Sequence, residues 1–383
     1  MAPHDFLLAL LVLLSIAAVS LRFSHRLGLG SVLGLLTAGV IIGPTGFDLA
    51  RRVADVRRFS ELGVVLLLFI IGLEMHPHRL WELRRAAALG LLQVVLTGAA
   101  IAVYVGLIGQ PGATAIIIGY GFALSSTAVV LQILQERGQL ASPAGQTVFG
   151  VLLMQDLAVV PLLAAVPLLA GGGAAGGYGP FARLAMVAGA LLAVVVGVRL
   201  LLPPLLDRLT RQSDGETFAA VAMLAVVASA LIMEEAGASM ALGTFVAGVL
   251  LAESPHRQRI EHLVLPFEHV LLSLFFIAAG MSIDLGALPL PLPVLLVHAV
   301  VLIAIKAAVL YGLGRALSLR RADAVRVGLL LAQCGEFGFV LFAAAEVAGL
   351  LPPAGFAVAA VLIGLSMAAT PLLARAADRW AAE

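Results

Sequence analysis

Lysine is all but missing from this chain: among 23 basic residues there is a single one, Lys306. Cysteine is as scarce. Cys334 stands alone, which excludes a disulfide framework and a cysteine-based metal site. Charged residues make up only 12% of the 383 positions, and the formal net charge of +1 carries no signature of an acidic or nucleic-acid partner. There is no phosphate-cradling glycine loop, no Ser/His/Asp order in a convincing context, and no stretch outside the apolar runs large enough for a catalytic domain. No enzyme is expected, and no cofactor. His76 and His78 are two residues apart but lack the companion ligands of a zinc site.

What fills the chain instead is apolar sequence, 62% of residues with a mean hydropathy of +1.10. In lipid, only helices and closed barrels satisfy every backbone polar group. Runs of about 20 apolar residues match a helix crossing a ~30 Å core, whereas barrel strands are about half that and alternate. The fold class is therefore an all-α polytopic membrane protein with about thirteen spans. They lie near 5–23, 31–47, 59–75, 83–107, 112–135, 146–170, 180–203, 215–234, 238–252, 263–281, 290–313, 324–346 and 353–374. MAPHDFLLALLVLLSI lacks a basic n-region and a small-residue cleavage site, so it reads as a first span rather than a removed signal. Arginines such as Arg84, Arg137, Arg208, Arg257, Arg320 and Arg375 crowd the connections on one side, which favours an outside N-terminus and a cytoplasmic C-terminus. Arg51, Arg52, Arg57 and Arg58 break that rule locally. The glycine-rich GGGAAGGYG (171–179) is the most linker-like stretch.

The spans repeat. LGLLTAGV (33–40) and LGTFVAGV (242–249) share L-G-x-x-x-A-G-V at an offset of 209 residues, and LFIIGLEM (68–75) falls on FFIAAGMSID (275–284) at nearly the same shift. Spans 1–6 therefore map onto spans 8–13. The offset of seven spans is odd, so the two halves are inverted in the membrane, an architecture of secondary transporters. Applied to the polar interruption Ser125-Ser126-Thr127 of span 5, the shift lands on Cys334-Gly335-Glu336 in span 12. Paired interruptions at matching positions predict two broken helices whose ends and free carbonyls can serve an ion.

Two charges lie inside apolar runs: Lys306 in AVVLIAIKAAVLYGL and Asp156 in VLLMQDLAVVPLL. A charged group at mid-bilayer costs about 2.5–3.5 kcal/mol on insertion scales, so each marks a functional hypothesis. Asp156 is assigned as the exchangeable carboxylate. Gln155, about 100° around the helix, becomes a neutral orienting group. Pro161 frees the carbonyl of Leu157 nearby. Lys306 is expected to pair with Asp156 when no cation is bound, or else to neutralise the broken helices' dipoles. Glu336 assists the cation or caps the interrupted helix. Glu74 is expected to find a partner such as Arg79, and Glu234 and Glu235 to be solvated.

At these motifs the chain resembles the monovalent cation:proton antiporter-2 superfamily, in particular its Kef-type glutathione-gated potassium efflux branch. The resemblance runs over ALSSTAVVLQILQERG (123–138), VLLMQDLAVVPLL (151–163), LFFIAAGMSID (274–284) and AQCGEFGFVL (332–341). It implies a sodium/proton-antiporter-like fold with two crossed broken helices. It implies ion binding at Asp156, a crossover at Ser125, Ser126, Thr127, Cys334, Gly335 and Glu336, and the family's core lysine at Lys306. A Gln-Asp pair, as at Gln155-Asp156, is typical of potassium-type members. The implied function is K⁺/H⁺ (or Na⁺/H⁺) exchange by elevator-like alternating access in a bacterial inner membrane. The implied assembly is a homodimer in the lipid bilayer, with residues 1–80 and 204–285 as scaffold and 83–170 and 290–376 as the ion-translocating core. The nucleotide- and glutathione-binding domain of that branch does not follow the last span here, so such control would need a regulatory domain or subunit outside this chain. The connection 254–270 follows the branch's acidic regulatory loop only in part. Two rival readings are a sodium-coupled organic anion symporter of similar fold and a ligand-gated potassium channel.

Overall fold

The computed structural model describes residues 11–22, 31–44, 54–75, 82–170, 180–211 and 215–382, and its regular elements there are all helices. In chain order they are α1 (Leu11–Arg22), α2 (Ser31–Ile42), α3 (Ala54–Glu74), α4 (Arg84–Leu107), α5 (Gly112–Ala123), α6 (Thr127–Glu136), α7 (Pro143–Leu169) and α8 (Pro180–Val196). A π turn at Gly197–Leu201 leads into α9 (Leu202–Arg211). Then follow α10 (Gly215–Glu235), α11 (Met240–Leu251), α12 (Arg257–Met281), α13 (Leu292–Ala316), α14 (Arg321–Leu330), α15 (Phe337–Val347), α16 (Pro353–Ala368) and α17 (Thr370–Ala382). The glycine-rich linker, Arg51, Arg52, Arg79, His76 and His78 lie outside the described residues.

Among the described residues, seven helical segments are long and apolar enough to cross a membrane, or eight if Pro353–Ala368 and Thr370–Trp380, bent by 42°, form one span. Shorter apolar helices at Leu11–Arg22, Ser31–Ile42, Leu62–Glu74, Met240–Leu251 and Phe337–Val347 coincide with other expected spans. Two expected spans are each a pair of helices separated by a non-helical break of three residues or more. Span 112–135 is α5 plus α6, and span 324–346 is α14 plus α15. Glycines with positive φ follow the second member of both pairs, Gly138 at 62° and Gly349 at 74°, where an L side chain would be strained.

By contacts the chain falls into two compact units, residues 1–52, 78–162 and 276–383 in one and 53–77 and 163–275 in the other. The core of the first includes Val130, Leu134, Val148, Val151, Leu310, Val327 and Leu331; that of the second includes Phe69, Leu73, Phe218, Val226, Met233, Ile260 and Val264. Small residues let apolar helices approach to backbone contact, which replaces the hydrophobic drive that lipid cannot supply.

The repeat is visible in those approaches. In the first unit, a Cβ on Gly39 of α2 would stand 2.3 Å from Ile277 O, and one on Gly280 of α12 would stand 2.3 Å from Leu36 O. In the second unit, a Cβ on Gly72 of α3 would stand 2.3 Å from Phe245 O, and one on Gly248 of α11 would stand 2.2 Å from Phe69 O. Leu36 and Phe245 are 209 residues apart, and Phe69 and Ile277 are 208 apart. One glycine crossing is thus built twice with the halves exchanged, as inverted repeats require.

Gly248→Ala is expected to lower the thermal midpoint of the solubilised protein, since overpacking a tight contact costs about 1–3 kcal/mol. Gly106→Ala is the control, because a Cβ added there in α4 would meet no atom within 4 Å. Equal midpoints for the two variants would contradict the crossing.

Candidate functional site: a crossover of two broken helices

The first break is short and extended. Leu124 has φ −77° and ψ 143°, and Ser126 has φ −76° and ψ 114°. Ser126 then caps α6, its hydroxyl accepting from Val129 N–H at 3.4 Å. The second break runs from Leu331 to Glu336. The two strands meet where Gly335 N–H donates to Leu124 O at 3.0 Å. A Cβ on Gly335 would stand 2.4 Å from the carbonyl carbon of Ser125, so glycine is required here by close approach.

Hydrogen bonds across the meeting point come in reciprocal pairs. Ser125 Oγ donates to Leu331 O at 2.9 Å, and Cys334 Sγ lies 3.6 Å from Phe122 O. Ser125 and Cys334 are repeat partners, and so are Phe122 and Leu331, each 209 residues apart. The free amides of both breaks are served alike: Ser125 N–H donates to Gln155 Oε1 of α7 at 2.8 Å, and Cys334 N–H to Ser366 Oγ of α16 at 3.0 Å. The six predicted crossover residues are all brought to this locus.

Lys306 is completely buried on α13, and its ammonium donates to Phe122 O at 3.1 Å, Leu124 O at 2.7 Å and Gln333 O at 2.9 Å. Leu124 and Gln333 are again repeat partners. Three protons meet three carbonyls, at the two C-terminal helix ends where unpaired carbonyls and the negative end of the dipole concentrate. The expected Lys306–Asp156 pairing is therefore not the arrangement observed; the other expected role, neutralising the helix ends, is where the side chain points.

Asp156 is half-buried on α7, and its carboxylate accepts from Thr127 Oγ1 at 3.0 and 3.2 Å. Thr127 is the first residue of α6, so the carboxylate faces a helix N-terminus. Gln155 is 1% exposed and points to a different place, as the 100° spacing predicts. Besides holding Ser125 N–H, its Nε2 donates to Gln93 Oε1 at 2.6 Å. Gln93 in turn donates to Ala123 O at 3.0 Å and to Thr97 Oγ1 at 3.2 Å.

Glu336 is the N-cap residue of α15 without a side-chain cap bond, and its carboxyl faces the Ser126 hydroxyl and the Ala128 amide. Among the described residues, the buried side-chain acceptors without a partner are Glu336 Oε2 and Gln333 Oε1, although Gln333 Nε2 donates to Ser126 O at 3.3 Å. Hard oxygen groups of this kind suit a dehydrated alkali cation or a proton. Arg137, the C-cap of α6, ties that helix to α17 through Asp378 Oδ2 at 2.5 Å and Ala374 O at 3.2 Å. Glu234 and Glu235 are exposed. Glu74 closes α3, and its suggested partner Arg79 is outside the described residues.

Gln93, Thr97, Gln333 and Ser366 went unnoticed in the sequence. Gln93 and Thr97 carried a signal: both interrupt the apolar run LGLLQVVLTGAA, and Thr97 is the repeat partner of Lys306.

A family model described as "Sodium/hydrogen exchanger, transmembrane" matches residues 10–375. Among solved structures, the chain is similar to the sodium proton antiporter MjNhaP1 from Methanocaldococcus jannaschii at pH 8, with TM-score 0.69 and 15% identity over 99% of each chain. An electron-microscopy structure of the same antiporter gives TM-score 0.67 and 14% identity over 100% of this chain and 98% of that one. At such identities the likeness is one of fold.

Lys306→Ala is expected to lower the thermal midpoint well below that of Asp156→Asn. The first removes three hydrogen bonds from a buried ammonium, each worth about 1.5–3 kcal/mol, although Leu124 O keeps Gly335 N–H, while the second keeps an acceptor for Thr127. The reverse order in a melt of the purified protein would contradict this division of roles.

Proposed function

The chain belongs to the sodium/hydrogen exchanger transmembrane family, a family of secondary transporters rather than enzymes, and on that premise we propose that it exchanges protons for K⁺. Proton and cation compete for the Asp156 carboxylate. The observation that carries this reading is the separation of the two charges within the apolar helices: buried Lys306 is engaged by three carbonyls, and half-buried Asp156 is bonded to a hydroxyl at the mouth of a helix N-terminus. A carboxylate is neutralised as well by one proton as by one monovalent cation, so the exchange is one for one. K⁺ over Na⁺ is favoured by the Gln155-Asp156 pair, which resembles the Kef-type pattern.

The transport cycle is alternating access of an elevator kind. Residues 83–170 and 290–376 form the moving core, and residues 1–80 and 204–285 the scaffold through which two copies dimerise. The protein sits in a bacterial inner membrane with its N-terminus outside and its C-terminus in the cytoplasm, as the arginine distribution supports.

In proteoliposomes carrying a pH-sensitive dye, K⁺ is expected to drive proton flux more effectively than Na⁺, without dependence on membrane voltage. Asp156→Asn is expected to remove that flux by at least about 100-fold, since the amide can neither release a proton nor bind a cation by charge. Undiminished flux in Asp156→Asn would sink the reading.

A further inference from the structure

Gln93 lies on α4 with no exposed surface, and its hydrogen bonds close a ring that leaves Asp156 outside. Ser125 N–H donates to Gln155 Oε1, Gln155 Nε2 donates to Gln93 Oε1, and Gln93 Nε2 donates to Ala123 O, at 2.8, 2.6 and 3.0 Å. The ring begins and ends on backbone groups two residues apart in the first break. An N–H can only donate and a carbonyl can only accept, so the backbone fixes the direction of every link. Gln93 must turn its NH₂ toward Ala123 and its oxygen toward Gln155; the second NH₂ proton goes to Thr97 Oγ1 at 3.2 Å.

We propose that Gln93 is a positioning residue of the ion site, which holds residues 123–125 open through Gln155 and commits position 155 to a neutral amide. Asp156 is then the sole carboxylate of the pair. An ionised acid at position 155 would set a second acceptor against Gln93 Oε1. Were Gln93 to flip in response, Ala123 O would lose its donor. The repeat gives the same answer from another direction. Thr97, which Gln93 bonds, occupies in the first half the place of Lys306 in the second. A neutral donor on α4, Gln93, thus serves one break where an ammonium on α13 serves the crossing. The effect on exchange rests on the antiport reading above; the ring itself does not.

Glu is the isosteric probe. A protonated carboxyl at position 93 has one donor and one acceptor, enough for Ala123 O and Gln155 Nε2; the ionised form has no donor to give. The titratable or basic groups on the neighbouring helices are Tyr120 on α5, Asp156 on α7, and His298, Lys306, Tyr311 and Arg315 on α13. Asp156 is bonded to Thr127 and His298 to Tyr104 of α4, both outside the ring, while Lys306 donates to Leu124 O on the backbone segment that closes it. Their titration is removed by dividing each variant's rate by the wild-type rate at the same pH.

On that scale Gln93→Glu is expected to exchange within about threefold of wild type at the acid end of the assay range and to fall about tenfold further toward the alkaline end. Gln93→Leu is expected to be reduced by one factor at every pH, and Gln93→Asn, one methylene short, not to restore it. Gln155→Glu, which breaks the next link, should follow the same pH course as Gln93→Glu. The thermal midpoint of Gln93→Glu relative to wild type should fall over the same pH range, a readout that needs no transport. A pH-independent ratio for Gln93→Glu in both rate and midpoint would overturn the proposal. Persisting flux in Asp156→Asn would instead overturn the antiport reading and leave the midpoint test standing.

Discussion

An ammonium group with three protons meets three carbonyl oxygens at Lys306, and that match sets the terms for the rest of the crossover. Breaking two helices in the middle of a membrane exposes four helix ends to a medium that cannot solvate them. The C-terminal ends, α5 and α14, carry the unpaired carbonyls and the negative partial charge, and one cation spans both. The N-terminal ends, α6 and α15, carry free amides. They are faced by Thr127 with Asp156, and by Glu336. Opposite partial charges are thus gathered around two strands that cross at Gly335, where no side chain would fit.

The inverted repeat explains why the strands can meet on a local two-fold, and its imperfections fall at the charged positions. The Ser125 and Cys334 side chains and their bonds to Leu331 and Phe122 obey the repeat, as do the glycine crossings at Gly39, Gly72, Gly248 and Gly280. The charged positions do not. Asp156 corresponds to Leu365, Lys306 to Thr97 and Glu336 to Thr127 under the 209-residue shift. Backbone packing is shared by the halves because both must solve the same steric problem. Charge differs because a second buried carboxylate or ammonium at each symmetric position would add a desolvation cost without a partner to offset it.

Much of this was legible in the residues. The two breaks stand out as polar and glycine interruptions in otherwise apolar spans, and the repeat ties them together. Asp156 and Lys306 stand out because a lone charge in such a run is costly. The partner of Lys306 was not legible for a plain reason. A sequence displays side-chain charges but hides which backbone carbonyls a broken helix will free, and here those carbonyls win the lysine from Asp156. Gln93 and Ser366 were hidden in the same way. Each is a single uncharged polar residue in an apolar helix, a pattern that more often reflects a hydroxyl or amide bonded within its own helix, and their targets are backbone amides or carbonyls on other segments. Span counts by length recover the long helices, while the helices of 10–17 residues fall below any length threshold for a lone span.

For an exchanger of the proposed kind, this division between holding and binding has an energetic consequence. A charge that must bind and release a mobile ion cannot also be a strut, because removing its partner would then cost both functions at once. In this crossover the struts are an ammonium held by three carbonyls and a directional ring of amides, and on the proposed reading Asp156 is the group that is loaded. Proton and cation both leave the Asp156 site neutral, so the two loaded forms carry similar electrostatic cost in a low-dielectric interior. The empty form keeps an anion half-buried against a hydroxyl and is the costly one. A core that crosses the membrane readily only when loaded is an antiporter by that inequality alone, without a gate that recognises either ion.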